Sequence, residues 1–540
     1  MSQNKGLMPF MDANRRGAKV QVEETLIHAF LRARDARAVD DPIAQDAQGE
    51  PLTYDALLQQ SAILSHLLGR MAQPDEQRIG LMMPTSMPMM TSFLAVQLLG
   101  RVATMLNFTA GVAAVLGACT IAQVRTVVTS RQFIERANLG LLVETLVAAD
   151  LNVHYYEDLI GKIEPQDRQA EGGSEALASV RPDDPAVVLF TSGSEGAPKG
   201  VVLSHRNILS NIAQFTEQLD IGPWDKMFAC LPMYHSFGLT VGTLLPLFSG
   251  VPTFFYPSPL HYHEVPRLIR ETQSTLILTT DTFLTGYARM GKPEDFASLR
   301  YIIAGAEKLK DQTRHIWEGQ FGKIIFEGYG VTETAPVVSV NAPDHYALGS
   351  VGRILPGIEV ALHPVEGITC GAELWVRGPN IMLGYMKADA PGVLLPPKEG
   401  WHNTGDVVSI DENGFLTIKG RIKRFAKIGG EMISLVAIEQ VASKVCPGVL
   451  HAVVSVPHAR RGEAIVLLTE QEDFDADALR HALREHGMTE LYMPREILFV
   501  SKVPVLGSGK LDFITARARA IELLSPAEAQ PPAEKQAQSA

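Results

Sequence analysis

The sequence predicts an α/β chain: a large N-terminal domain of stacked sheets and helices, followed by a small α+β C-terminal domain. Three observations lead there. Short β-rich runs, among them 185–190 (PAVVLF), 275–280 (TLILTT), 301–304 (YIIA) and 323–326 (KIIF), alternate with helix-like segments, as in a doubly wound sheet. A composition of 46% hydrophobic and 20% charged over 540 residues supplies apolar material for large cores and excludes wholesale disorder. Beyond Arg421 the pattern changes to one helix-like stretch, Ser434 to Val445, among strand-like runs at 452–456, 464–469 and 496–500. That is a compact module of about a hundred residues, a common domain size.

Taken in order, residues 22–34 (VEETLIHAFLRAR) place Leu26, Ile27, Phe30 and Leu31 at helical spacing. From 52 to 160 apolar runs alternate with helix-like segments. The stretches 79–100, 102–124 and 227–263 lack Asp, Glu, Lys and Arg altogether. Length alone would make them membrane candidates, but Pro84, Pro88, Asn107, Gly111, Pro232, Pro246, Pro252 and Pro257 interrupt them. They read as buried strands and helices, with no transmembrane segment expected and peripheral membrane contact left open. Residues 163–184 are polar and read as a surface linker. The expected domains are 1–421 and 422–524, with 525–540 a Pro/Ala/Gln-rich disordered tail.

The 48 Lys+Arg against 60 Asp+Glu give a net charge of −12, which argues against a general nucleic-acid partner, since phosphates need a basic face. The four cysteines, Cys119, Cys230, Cys370 and Cys446, are scattered with no CxxC pair. A disulfide scaffold and a zinc ribbon are excluded, and a reducing cytoplasm fits. No signal peptide is read at the N-terminus.

The sharpest local pattern is 188–200, VLFTSGSEGAPKG. A β-run enters a loop of Thr191, Ser192, Gly193, Ser194, Gly196 and Gly200, with Lys199 near its end and a helix after Ser204. Glycines let backbone N–H groups turn toward an anion, hydroxyls add donors and a lysine adds charge. Such a loop cradles phosphates. It is not a Walker A loop, because Lys199 lies between Pro198 and Gly200. Four strand-like runs that each end in a loop bearing Ser, Thr, Gly or Glu suggest one shared cleft, as at the carboxyl ends of open α/β sheets.

With GYGVTE (328–333), TGD (404–406), GRIK (420–423) and GSGK (507–510) downstream in order, the chain resembles the adenylate-forming superfamily from about residue 52 to Lys510. That resemblance implies an adenylate-forming N-terminal domain, a mobile C-terminal domain, and ATP with Mg²⁺. It assigns Thr191, Ser192, Gly193, Ser194, Gly196 and Lys199 to the β- and γ-phosphates. Gly305, Ala306, Glu307 and Tyr329 fall to the adenine pocket and Gly330 to ATP binding, with Asp406 on the ribose hydroxyls and Arg421 on ribose or phosphate. Thr332 is matched to the α-phosphate, Glu333 to Mg²⁺, and His235 to the acyl carboxylate and thiol tunnel. Lys510 becomes the adenylation lysine, Lys423 the hinge, and Gly429, Gly430 and Glu431 the surface that guides a phosphopantetheine thiol.

Within that superfamily, FAKIGGEMIS (425–434), EGYGVTETAPVVSVN (327–341), HSFGLTVG (235–242), YPSPLHY (256–262) and AGAEKL (304–309) are very similar to the synthetase half of bacterial bifunctional 2-acylglycerophosphoethanolamine acyltransferase/acyl-carrier-protein synthetases. The expected reaction is ATP-dependent ligation of a long-chain fatty acid to holo-acyl-carrier protein. The sequence has no upstream acyltransferase segment and no H-x(4)-D pair, so acyltransferase activity is not expected. The rival reading uses CoA as acceptor; more distant ones are a luciferase-type oxidation and a non-catalytic fatty-acid-binding or membrane-associated protein. Lys419, Arg421, Lys423, Arg424 and Lys427, with Arg460 and Arg461 further on, form a candidate docking patch for an acidic carrier. The expected location is cytoplasmic, with association at the inner membrane face left open.

Overall fold

The β-branched runs pair into sheets, the larger of them packed against helices. The computed structural model describes residues 20–163, 179–192, 198–368, 370–428, 431–458, 462–505 and 511–524. They fall into two compact units: 20–363, 374–404 and 408–418, and then 364–373, 405–407 and 419–524.

In the first unit an eight-stranded sheet runs, edge to edge, through Ala390–Leu395, Gly384–Lys387, Pro198–Ser204, Pro185–Ser192, Val102–Met105, Arg78–Met82, Thr126–Thr129 and Asn152–Tyr155. The last five strands are parallel, and the first three join by antiparallel pairing. A nine-stranded sheet runs through Arg353–Ile354, Val337–Val340, Ile325–Gly330, Tyr301–Ala304, Leu276–Thr279, Met227–Ala229, Thr253–Phe255, Pro42–Asp46 and Leu52–Thr53. Its middle strands are parallel. The four strand-like runs singled out in the sequence therefore belong to two sheets: Pro185–Ser192 lies in one, and the other three strands lie in the second.

The uncharged stretches form strands and helices as expected, largely buried in 79–100 but only along one face of the helix in 102–124, where Val115, Ala118, Cys119 and Ile121 are buried. Residues 79–100 become strand Arg78–Met82 and helix Met87–Leu98, in which every residue except Pro88 is buried. Residues 102–124 become strand Val102–Met105 and helix Val112–Ile121. Among the described residues no helix is long and apolar enough to cross a membrane. Within 227–263 the segment Phe237–Leu244 forms a wide π-type helix, a form common at functional sites. Gly238 is required there, because a Cβ would stand 2.3 Å from the Pro232 carbonyl oxygen.

The first helix is shorter at its start than the apolar spacing suggests. It spans Leu26–Asp35, because the Thr25 hydroxyl accepts from the His28 N–H and caps it. Glu24 instead pairs with Arg32 at 2.9 Å. The same helix start is tied down by His205, whose Nδ1 accepts the Leu26 N–H at 3.1 Å.

The second unit is built on a sheet ordered Glu431–Ser434, Phe425–Ile428, Gly462–Thr469 and His451–His458, with Glu496–Phe499 parallel to Gly462–Thr469. Helix Leu435–Val445 packs Leu435, Ile438, Val441 and Ala442 into its core. Helix Phe513–Leu524 buries Ala516 and Ala520 against Val454, Val466 and Leu468. This is the α+β mixture expected for the C-terminal region.

Candidate active site

The hairpin of Pro185–Ser192 and Pro198–Ser204 sets Thr191 opposite Lys199 and Ser192 opposite Pro198. Thr191, Ser192 and Lys199 thus stand on strands that flank the predicted phosphate loop rather than within it. The reason is that ladder pairing continues past the β-branched residues to residues 191–192 and 198–199. Gly193, Ser194 and Gly196 lie outside the described residues. Ser204 ends the second strand and caps helix His205–Thr216 in a reciprocal box with Asn207. Farther along, Asn211 donates to the Val337 carbonyl at 2.7 Å and accepts the Val337 N–H at 3.0 Å. One helix therefore links the hairpin to the strand that follows GYGVTE.

Strand Ile325–Gly330 runs beside Tyr301–Ala304, with Ala304 opposite Glu327. Just past that register Gly305 lies beside Gly328, whose carbonyl oxygen would stand 3.5 Å from a Cβ at Gly305. The strand runs beyond the 323–326 segment that local pattern predicts, through Tyr329 and Gly330, because Gly328 and Tyr329 pair with Val340 and Ser339. Ala306 adopts a left-handed φ of 67°. Glu307 Oε2 accepts from the Thr282 N–H at 3.1 Å and the Thr282 hydroxyl at 2.8 Å. Tyr329 is 8% exposed and packs with Val331, Val338 and Leu374. At Gly330 a Cβ would meet the Pro336 carbonyl oxygen at 2.0 Å, so only glycine passes this point.

The chain then makes a short turn over Thr332–Thr334. Thr332 Oγ1 lies 3.5 Å from the Ser236 hydroxyl, which donates to it. His235 precedes that serine, half-buried, its ring 4.7 Å from that of Tyr234. Glu333 Oε1 accepts from the Tyr385 hydroxyl at 2.6 Å. The Lys199 ammonium lies 5.7 Å from the centroid of the same tyrosine ring. Beneath the motif, the buried Arg314 and Glu327 side chains meet at 2.5 Å, and Arg314 donates to Tyr346 at 2.7 Å. Burial raises the Glu327 carboxyl above its ordinary range, with Arg314 opposing the shift.

Tyr385, Ser236, Asn211 and Arg314 were not singled out in the sequence. Tyr385, Ser236 and Asn211 lie 52, 96 and 126 positions from the partners they serve and Arg314 lies 13 from Glu327, and no local pattern links any of these pairs.

In the second unit Asp406 is buried within strand His402–Ile410, and Arg421 Nε lies 2.8 Å from its Oδ1. Lys423, in the turn Ile422–Arg424, is exposed, as is Glu431 at the start of its strand. Arg424 leaves the candidate docking patch: it is half-buried and held by Glu439 at 2.6 Å. Lys427 is exposed. Gly429, Gly430, Arg460, Arg461 and Lys510 lie outside the described residues.

In the first unit the structure thus brings the Glu333 carboxylate, the Thr332 and Ser236 hydroxyls and, across the Tyr385 ring, the Lys199 ammonium to the Thr332–Thr334 turn, with the half-buried His235 imidazole one residue from Ser236. The Tyr385 bond occupies Glu333 Oε1 and leaves Oε2 outside it, a hard oxygen of the type Mg²⁺ takes together with phosphate oxygens. The donor set fits a magnesium-bound polyphosphate.

A long-chain-fatty-acid–CoA ligase of Salmonella typhimurium is 28% identical to the chain over 533 residues, 90% of this chain and 93% of the relative. One from Yersinia pestis is 33% identical over 357 residues, and in that match the chain spans 62% of the relative's length. ATP-bound MatB from Rhodopseudomonas palustris superposes with a TM-score of 0.75 at 25% identity, covering 93% of this chain and 100% of that one. The hairpin, the adjoining strands and the Thr332–Thr334 turn all fall within residues 28–386, which match the model described as AMP-binding enzyme, and the chain belongs to that family.

Proposed function

We propose that the protein is an AMP-forming acid–thiol ligase that activates a long-chain fatty acid with MgATP. The observation that carries this reading is the full-length similarity to a long-chain-fatty-acid–CoA ligase, joined to the family match over residues 28–386.

In the first half-reaction a carboxylate oxygen attacks the α-phosphorus. An acyl–O–P bond forms, the bond to the β-phosphate oxygen breaks, and pyrophosphate leaves. Two anions must approach, so catalysis consists of spreading charge and aligning the attack. Lys199, Thr191, Ser192 and the Gly193–Gly196 loop bind the leaving phosphates. Thr332 bonds the α-phosphate, Glu333 supplies a hard oxygen to Mg²⁺, and Lys510 bridges carboxylate and α-phosphate. Tyr329 with Gly305–Glu307 borders the adenine, while Asp406 and Arg421 hold the ribose. In the second half-reaction a thiol sulfur attacks the acyl carbonyl, the C–S bond forms, the C–O bond to AMP breaks, and the thiol proton passes to solvent. Rotation about Lys423, between the domains 1–421 and 422–524, exchanges Lys510 for the Gly429–Glu431 surface and gates the two steps.

Two acceptors remain in play, each with its own support. CoA is favoured by the names of the relatives. Acyl-carrier protein is favoured by the resemblance of segments 425–434 and 327–341 to carrier-protein synthetases. The reaction is assigned to the cytoplasm, in keeping with four unpaired cysteines.

The test incubates purified protein with labelled long-chain fatty acid, ATP and Mg²⁺, adding CoA or holo-acyl-carrier protein in separate arms. Labelled acyl-CoA with AMP release establishes the CoA branch, and labelled carrier protein the other. Absence of AMP with both thiols would refute the ligase reading.

A further inference from the structure

We propose that Tyr385 is a positioning residue that sets Glu333 and Lys199 relative to one another for binding of the magnesium–triphosphate. The inference rests on the reading of Glu333 and Lys199 given above. Tyr385 touches both: its hydroxyl donates to Glu333 Oε1 at 2.6 Å, and its ring faces the Lys199 ammonium at 5.7 Å. The second distance falls within cation–π range.

The backbone around it makes the arrangement rigid. Tyr385 pairs with Val201 and Met386 with Gly200, on the strand that begins with Pro198 and Lys199. The Leu383 N–H donates to the Val202 carbonyl at 2.9 Å, and the Met382 N–H to the Glu333 carbonyl at 2.8 Å. Asn380 Nδ2 donates to the Thr334 carbonyl at 2.7 Å. The segment 380–386 is therefore bonded on one side to the Thr332–Thr334 turn and on the other to the lysine strand. Tyr385 is the residue of this segment whose side chain reaches both charged groups.

The chemistry explains why a tyrosine serves. A carboxylate and an ammonium placed close together in a site that must receive both Mg²⁺ and phosphate tend to neutralise each other. A phenol hydroxyl satisfies one carboxylate oxygen by a charge-assisted bond and leaves the other for the cation. Its ring face attracts the ammonium without engaging its N–H donors in a carboxylate bond, so they remain for phosphate oxygens. Pre-orienting both groups lowers what must be ordered when the nucleotide arrives.

The test is fatty-acid-dependent ATP–pyrophosphate exchange, measured across Mg²⁺ concentrations for the full chain, Tyr385→Phe, Tyr385→Leu and Glu333→Gln. Tyr385→Phe keeps the ring and the backbone pairing. It is expected to raise the half-saturating Mg²⁺ about 10-fold, the scale of a lost hydrogen bond to a charged group, with the rate restored at excess Mg²⁺. Tyr385→Leu also loses the ring and is expected to raise the KM for ATP further, while the KM for fatty acid stays unchanged. Restoration by Mg²⁺ separates positioning from general damage, which excess cation would not repair. An unchanged Mg²⁺ dependence in Tyr385→Phe beside a shifted one in Glu333→Gln overturns the role of Tyr385 alone. A uniform loss of rate at every Mg²⁺ concentration overturns it as well. An unchanged Mg²⁺ dependence in Glu333→Gln removes the reading of Glu333, and the inference with it.

Discussion

The Arg424 guanidinium stands 3.5 Å from the centroid of the Phe513 ring while its Nη2 lies 2.6 Å from Glu439 Oε1. Nη1 donates to the Val453 carbonyl at 2.7 Å, and Glu439 accepts the Val453 N–H at 2.7 Å. The turn next to Lys423, helix Leu435–Val445 and the start of helix Phe513–Leu524 are thus pinned at one arginine. Arg424→Ala leaves Glu439 largely buried without its partner and should cost on the order of 3 kcal/mol. Arg424→Lys keeps the charge but loses the planar stack and the second donor, so it should recover only part of that loss. Chemical unfolding of the two variants against the parent protein checks the order.

His205 makes stability depend on pH in a predictable direction. Burial pushes its imidazole down to about 4 from an ordinary 6.5, with Asp184 opposing the shift. Between those values the unfolded chain takes up a proton that the folded chain refuses. Stability from this group is therefore complete above pH 6.5 and is lost as the pH falls toward 4. The full effect is about 3 kcal/mol by linkage. His205→Asn keeps an acceptor for the Leu26 N–H and removes the titration. Urea unfolding at pH 7, 6 and 5 should give a steeper acid decline for the parent than for the variant; equal slopes would count against this account.

The cysteines should separate cleanly by reactivity. Burial pushes the Cys119 and Cys230 thiols up to about 12, which suppresses the nucleophilic thiolate. Cys370 is exposed and Cys446 partly so. Alkylation of the native protein, followed by peptide mass analysis, should label Cys370 first and Cys446 more slowly. Cys119 and Cys230 should react only after denaturation.

What could be read from the sequence is what local pattern encodes. The Val/Ile runs at 185–190 and 301–304 announced strands, and the run 79–100 announced a buried strand and helix, because periodicity and charge depletion are properties of neighbouring residues. Which sheet each strand would join was not legible: Pro185–Ser192 entered a different sheet from Tyr301–Ala304, a choice made by long-range pairing. The same limit applies to side chains. Glu333 stood in a motif, whereas Tyr385, its hydrogen-bond partner 52 positions away, did not. Arg424 looked like one more cation in a basic run until Glu439 and Phe513 enclosed it.

Lys510 offers the sharpest test of the proposed two-step chemistry. In that reading its ammonium meets the fatty-acid carboxylate and the α-phosphate only as they approach each other. Charge stabilised at that moment raises the rate more than it raises binding. Lys510→Ala should therefore lower fatty-acid-dependent pyrophosphate exchange by roughly 10²–10³-fold, the scale found for removing one donor to developing charge. The KM for ATP should change little by comparison. In the same reading the Gly429–Glu431 surface, and not Lys510, serves the second half-reaction, so thioester formation from chemically supplied acyl-adenylate and thiol should survive within about 3-fold, well under 1 kcal/mol of barrier. Equal loss of both half-reactions would mean that the lysine supports the fold or a shared step, and the separation of roles between Lys510 and the Gly429–Glu431 surface would fall.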